Sequence, residues 1–175
     1  MAIRRRKIES VVEALLAAHE ITEAPVPVEI IAKAKGARIF HQALEDDVSG
    51  FLYRDESQAV IGVNTHHAPV RQNFTAAHEL GHLLLHDQEQ LHVDHSFRVR
   101  LRNDVSSQGT DEFEREANLF AASLLMPERF LEHDLEDEDY VDLFDDEFLS
   151  ELARKYGVSG QALTNRLNYL GYIPD

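Results

Sequence analysis

The sequence predicts an α+β fold in which a small antiparallel sheet supports helices that carry a metal-binding motif. Two β-rich runs at 50–54 and 59–63 are joined by four polar residues, a pattern typical of a β-hairpin. On both sides of this hairpin, apolar residues recur every three or four positions, which indicates amphipathic helices. The motif His78-Glu79-Leu80-Gly81-His82 stands in one of these helical segments.

The elements before the motif are two helices and three strands. An amphipathic helix is predicted at 8–21 and ends before Pro25 and Pro27. A second helix is predicted at 28–35, with Gly36 as its C-terminal cap. A strand at 37–44 and the two hairpin strands follow. The motif helix is expected to begin near Pro69, because proline suits the first position of a helix.

The elements after the motif are mainly helical. Weak alternation predicts an extended segment at 95–102, and the polar residues 103–110 predict a loop. A strong helix is predicted from Asp111 to Met126 and ends at Pro127. The acidic stretch 132–147 follows, and then two helical patterns at 148–155 and 160–170.

Composition limits the possible functions. The chain has 175 residues and a net charge of −15, which argues against general DNA binding because phosphate contacts need Lys and Arg. It has no apolar run of the length, about 18 residues, that a membrane span requires, and its basic N-terminus lacks the apolar region of a signal peptide. Cysteine is absent, which excludes disulfides and thiolate ligands and fits the cytoplasm.

The acidic stretch 132–147 (EHDLEDEDYVDLFDDE) has two interpretations. A run of charge is usually a solvated linker surface. The alternative is an acidic surface that attracts a basic partner, such as a DNA-binding protein.

The H-E-x-x-H motif predicts a zinc site with a catalytic base. On a helix, His78 and His82 share one face and lie about 6 Å apart along the axis, so both imidazoles can bind one Zn²⁺. Zinc lowers the pKa of a bound water, and Glu79 can take its proton during attack on a peptide carbonyl. A solvated polar helix face is the alternative, but the surrounding run is apolar. Gly81 suggests close approach of another backbone or a substrate.

A catalytic zinc needs a third protein ligand. His86 lies about 12 Å along the axis from His78, so it is expected to be structural or to support the ligands. The better candidate is Glu114, four residues before Asn118, whose amide can accept a hydrogen bond from a ligating imidazole. Glu116 lies about 200° around the helix from Glu114 and is expected to face solvent. From these residues alone, an ordinary exposed acid remains an alternative for Glu114.

The segments FTAAHELGHLLLH and EREANLFAASLLMP, with the upstream runs GFLY and VIGVN, resemble the ImmA/IrrE metallopeptidase family over most of residues 8–131. The resemblance implies a zincin-like domain at 1–131 in which His78, His82 and Glu114 bind Zn²⁺. It implies that Glu79 is the base, and Asn118 corresponds to a residue that supports a ligand in thermolysin-like zincins. Residues 132–147 are then an acidic linker, and 148–175 a C-terminal helical segment.

The resemblance also implies a regulatory role. Members of this family typically cleave a helix-turn-helix repressor, so we expect a cytoplasmic zinc endopeptidase that makes limited cuts in such a repressor and thereby acts as an anti-repressor. The alternative is a zinc-binding regulator that sequesters the repressor without cleavage. The group that stabilises the oxyanion is left open among five residues: Tyr53, His66, His67, His95 and Arg98.

The C-terminal segment LARKYGVSGQALTNRLNYLGYI resembles a helix-turn-helix, with Ser159 as an N-cap and Gly171 as a C-terminal cap. One interpretation is a helical cap packed on the catalytic domain, and the other is nucleic-acid contact. Residues 148–175 contain three basic and two acidic side chains, which favours the helical cap because it offers little grip on phosphate. Neither nucleic acid nor a membrane is an expected partner.

Overall fold

The computed structural model describes residues 3–86, 90–95, 108–136 and 146–173. Within these ranges the chain is α+β, as the sequence predicts, with seven helices and one sheet of four strands. The strands are β1 (Ala37–Gln42), β2 (Val48–Arg54), β3 (Ala59–Asn64) and β4 (Leu91–His95).

The sheet has the order β1-β3-β2-β4. The predicted hairpin is confirmed: β2 and β3 pair antiparallel, and the Asp55 carboxylate accepts hydrogen bonds from the backbone N–H groups of Ser57 and Gln58 in the connecting loop, at 2.8 and 3.0 Å. The sheet is mixed rather than wholly antiparallel, because β1 pairs in parallel with β3.

Buried Asn64, at the end of β3, holds the β1–β2 connection across the sheet. Its amide donates to the carbonyls of Glu45 and Val48 at 3.0 and 2.7 Å, and its oxygen accepts from the backbone N–H of Leu44 at 3.2 Å. These bonds place the connection over the end of β3, so β1 lies beside β3 instead of beside its chain neighbour β2.

The helices match the predicted number except for one that the sequence analysis missed. They are α1 (Arg5–Ala18), α2 (Val28–Ala34), α3 (Pro69–Leu85), α4 (Gln108–Leu125), α5 (Glu128–Asp134), α6 (Asp146–Tyr156) and α7 (Gly160–Leu170). The missed helix is α5, which begins after Pro127 and buries Phe130 and Leu131. The helix is short, and its apolar pair lies beside the acidic stretch 132–147, so no clear helical periodicity is visible in the sequence.

Several boundaries differ from the predicted ones. Helix α1 begins and ends three residues earlier, and α4 begins at Gln108 instead of Asp111. Apolar periodicity locates the body of a helix better than its terminal turns. The extended segment predicted at 95–102 overlaps β4 only at its first residue. Residues 96–107 and the acidic residues 137–145 lie outside the described ranges.

Helices α3 and α4 pack closely through Gly81. A Cβ atom at this position would lie 3.0 Å from the Phe120 ring and 3.2 Å from the Cα of Ala117. The glycine therefore serves the approach of another backbone, which is one of the two uses that its position in the motif suggests. This contact sets the distance between the two helices that carry the metal-binding candidates.

One apolar core runs through the described parts of the chain. It includes Ile8 and Leu16 of α1, and it extends to Leu163 and Leu167 of α7.

Both predicted caps of α7 are present. The Ser159 hydroxyl accepts from the backbone N–H of Ala162 at 3.2 Å, and Gly171 has φ +84°. None of the described helices has both the length and the apolar character needed to cross a bilayer.

Candidate metal centre

Three side chains from two helices converge at the α3–α4 contact. His78 and His82 are buried, and their Nε2 atoms lie 3.1 Å apart. Glu114 approaches from α4, with Oε2 at 3.5 Å from His78 Nε2 and Oε1 at 3.4 Å from His82 Nε2. The structure thus brings together the two motif histidines and the carboxylate that the sequence analysis selected.

These spacings fit a zinc ion. Four donors placed tetrahedrally at zinc-like bond lengths are separated by roughly 3.3–3.4 Å. The three observed distances, 3.1, 3.4 and 3.5 Å, bracket that value. Two imidazoles and one carboxylate are also a donor set that zinc accepts in catalytic sites. The residues present therefore fit the metal that the motif predicts.

The protonation states suit a cation. Burial is the main effect on His82 and lowers its pKa to about 3, so the imidazole is neutral and keeps a lone pair. Burial acts to raise the pKa of Glu114, but hydrogen bonds from His78 and His82 outweigh it and hold that pKa well below its usual range. A site that combines the neutral imidazole of His82 with an ionised carboxylate attracts a divalent cation.

Asn118 supports His78 from the side opposite its Nε2. The Asn118 Oδ1 lies 3.0 Å from His78 Nδ1, so the ring can donate its Nδ1 proton and leave Nε2 available as a ligand. Asn118 follows Glu114 by one helical turn on α4. One turn of this helix therefore supplies both a candidate ligand and the partner of another.

Glu79 lies beside the candidate ligands and is fully buried. A Glu79 carboxylate oxygen, a His78 ring nitrogen and an Asp94 carboxylate oxygen lie within 4.8 Å of one another.

His92 of β4 also reaches the cluster formed by His78, His82 and Glu114. Because residues two apart on a strand share a face, His92 and Asp94 both face the site. Sequence reasoning missed both. The one pattern in the sequence that could have indicated them is the alternation of polar and apolar residues in LHVDH, which is typical of a strand.

Comparison with known families places the segment that contains these residues within one family. Residues 32–168 match the IrrE N-terminal-like domain, Peptidase_M78, which is most of the chain and includes His78, Glu79, His82 and Glu114.

The chain belongs to this family. A solved structure that matches this IrrE-like chain is described as a Mycobacterium tuberculosis transcriptional regulator, with a TM-score of 0.65 and 18% sequence identity. The match covers 93% of the IrrE-like chain and 46% of the other, so the chain spans about half the length of that protein. At this identity the likeness shows a shared fold. No curated protein matches the chain.

A buried chain of polar groups supports the second histidine of the IrrE-like site. His82 Nδ1 lies 3.3 Å from His86 Nδ1, and His86 Nε2 lies 3.1 Å from Glu116 Oε2. With a lone pair on His82 Nε2, the candidate metal-binding atom, each ring can donate one proton along the chain toward the carboxylate. His86 thus contacts a candidate ligand from behind, in agreement with the expectation that it is structural or supports the ligands.

The expectation that Glu116 faces solvent is wrong. Glu116 is only 4% exposed, and its carboxylate accepts hydrogen bonds from the backbone N–H and Nε of Arg4 at 3.0 and 2.9 Å. The hydrogen bonds from Arg4 hold the pKa of Glu116 at about 2. Its angular position on α4 correctly predicted that Glu116 faces a different direction from Glu114, but α1 packs against α4, and Arg4, immediately before α1, supplies the partner.

We expect Glu116→Gln to weaken zinc binding by about 10- to 100-fold, the usual cost of losing a group that supports a ligand. The neutral amide loses the ion pair with Arg4, so His86 and then His82 lose their fixed orientation. Competition with a chromophoric chelator measures the affinity. Glu132→Gln, at an exposed helical position, is the matched control.

A packing role for Glu116 would give a different result. In that case Glu116→Gln would lower the unfolding midpoint of the metal-free protein and leave the zinc affinity of the folded protein unchanged. Arg4→Lys keeps the positive charge and should retain more affinity than Arg4→Ala.

Two of the candidates for stabilising the oxyanion have partners other than the candidate metal ligands. The Tyr53 hydroxyl donates to Asp55 at 3.1 Å in the hairpin loop, and His66 pairs with Asp46 at 3.2 Å. Burial lowers the pKa of His67. The side chain of His95 and all of Arg98 lie outside the described part of the structure.

Proposed function

We propose that this IrrE-like protein is a zinc-dependent endopeptidase of the cytoplasm that makes limited cuts in a helix-turn-helix repressor and so acts as an anti-repressor. One observation carries the proposal. His78, His82 and Glu114 form a buried donor set with zinc-like spacing, and the carboxylate of Glu79 lies beside it. This is the set of groups that metal-assisted peptide hydrolysis requires.

Each residue has a defined task in that chemistry. A zinc ion held by His78, His82 and Glu114 would act as a Lewis acid and make a water molecule a better nucleophile at neutral pH. The Glu79 carboxylate accepts a proton from the attacking water and returns it to the leaving amine nitrogen. Asn118 and His86 keep the two imidazoles in the orientation that leaves both Nε2 atoms available.

A cavity of about 380 Å³ is consistent with a peptide as the substrate. It lies where α3, α4 and α7 meet, and Asn118, the partner of His78, forms part of its wall. The remaining wall is mainly apolar, with Phe74, Leu119, Ala122 and Tyr169. A cavity of this character can accept an apolar side chain of the substrate.

The repressor is proposed as substrate because of the family resemblance and because the matching Mycobacterium tuberculosis protein is described as a transcriptional regulator.

The surface of α7 argues against direct reading of DNA. Its single basic residue, Arg166, is 3% exposed and donates from Nε to the carbonyl of Met126 at 3.1 Å. The helix therefore presents no exposed cation to phosphate, which favours a helical cap that shapes the cavity.

The direct test mixes zinc-loaded protein with the helix-turn-helix repressor encoded nearest its gene and follows the repressor by mass spectrometry. We expect a discrete cut that disappears when a chelator removes the metal and returns when zinc is restored. An intact repressor that co-purifies with the protein would favour sequestration instead. An intact and unbound repressor would contradict the choice of substrate.

A further inference from the structure

His92 lies close enough to the candidate metal ligands to bind the same ion. It lies on β4, which pairs with β2 through the register Leu52 opposite His92. Strand β4 stands at the end of the strand order, beyond β2, so it is an edge strand within the described ranges. The His92 side chain is 16% exposed, whereas the two motif histidines are nearly fully buried. His92 is therefore the histidine of the cluster that solvent or a substrate reaches most easily.

The distances place His92 next to the candidate metal ligands. Its Nε2 lies 3.3 Å from Glu114 Oε1, the same oxygen that lies 3.4 Å from His82 Nε2. One ligand atom each from His78, His82, His92 and Glu114 forms a group in which all atoms lie within 4.8 Å of one another. The 3.3 Å separation is again close to the donor spacing of roughly 3.3–3.4 Å in a tetrahedral zinc site.

Ring geometry makes His92 a weaker donor than the motif histidines. Its ring stacks on that of His82, with centroids 3.8 Å apart and planes 28° apart, while the rings of His78 and His82 are nearly perpendicular. Two stacked imidazoles cannot both aim their lone pairs at one ion. For His92 to bind, its ring must turn away from His82 and give up the stacking contact.

We propose that His92 is a fourth, displaceable protein ligand of the metal in the substrate-free protein. A catalytic zinc site keeps one position for water or substrate, and His92 occupies that position until one of them displaces it. The inference rests on the proposed metal centre but not on peptide cleavage. It adds a third imidazole to the two histidines and the glutamate that the sequence analysis selected.

The test titrates metal-free protein with Co²⁺, whose visible spectrum reports the number and type of its ligands. We compare wild type, His92→Ala and His92→Gln, with His66→Ala as a matched control at an exposed histidine that pairs with Asp46. In both His92 variants we expect Co²⁺ affinity to fall by about tenfold or more, at least the cost of losing a group that supports a ligand. We also expect their spectra to change as solvent replaces an imidazole nitrogen, while the control keeps the wild-type spectrum.

A wild-type spectrum and affinity in both folded His92 variants would overturn the proposal. Thermal unfolding of the metal-free variants checks that each protein is folded. A loss of repressor cleavage in His92→Ala with an unchanged Co²⁺ spectrum would also overturn it, because His92 would then act on the substrate and not on the metal. If the spectrum changes as expected but no variant or wild type cuts the repressor, His92 stands as a ligand and the proposed function fails.

Discussion

Glu79→Gln is expected to abolish repressor cleavage while leaving zinc binding intact. The amide has nearly the same shape as the carboxylate but cannot accept a proton from the attacking water, and loss of a general base costs about 10²–10⁴-fold in rate. Glu79 lies beside His78 but outside the donor set of His78, His82 and Glu114, so the metal keeps its ligands. Single-turnover cleavage followed by mass spectrometry measures the rate, and zinc content measures the site.

The control for this variant is Glu132→Gln, which makes the same chemical change at an exposed position and should cut the repressor at the wild-type rate. Cleavage at the wild-type rate by Glu79→Gln would mean that another group is the base. If both variants and wild type bind the repressor equally but none cuts it, the sequestering function gains support.

Glu114→Ala is expected to remove most of the metal affinity and, with it, the activity. The variant loses the ionised carboxylate that faces both motif histidines at 3.5 and 3.4 Å and leaves the imidazoles of His78, His82 and His92 to hold a dication without a negative charge. The loss in zinc affinity should be about 100-fold or more, above the range seen when only an outer partner of a ligand is removed. Chelator competition measures the affinity, and mass spectrometry measures cleavage.

Glu114→Gln separates the role of charge from that of shape. It keeps an oxygen donor of the right length and should bind zinc more tightly than the alanine variant but more weakly than wild type. Zinc affinity at the wild-type level in folded Glu114→Ala would refute its assignment as a ligand. The unfolding midpoint of each metal-free variant shows whether the substitution has disturbed the α3–α4 packing.

The described residues show where sequence reasoning is strong. The hairpin of β2 and β3 follows from two β-rich runs and a short polar loop, which are adjacent in the chain. The shared face of His78 and His82 follows from helix geometry alone. Gly81 is an intermediate case: the sequence indicates a close approach, and the structure identifies the backbone of Ala117 as the neighbour.

By itself, the sequence determined the α+β class, the helix that carries the two histidines and the family to which the chain belongs. Only the tertiary structure decided the parallel pairing of β1, the burial of Glu116 and the approach of His92 to the cluster. The reason is the range of the interactions. Helical and hairpin patterns reflect geometry within a few residues, whereas Glu116 is buried by Arg4, which is 112 positions away. His92 reaches the cluster because β4 pairs with β2, a pairing between segments about 40 residues apart in the chain that no local pattern reveals.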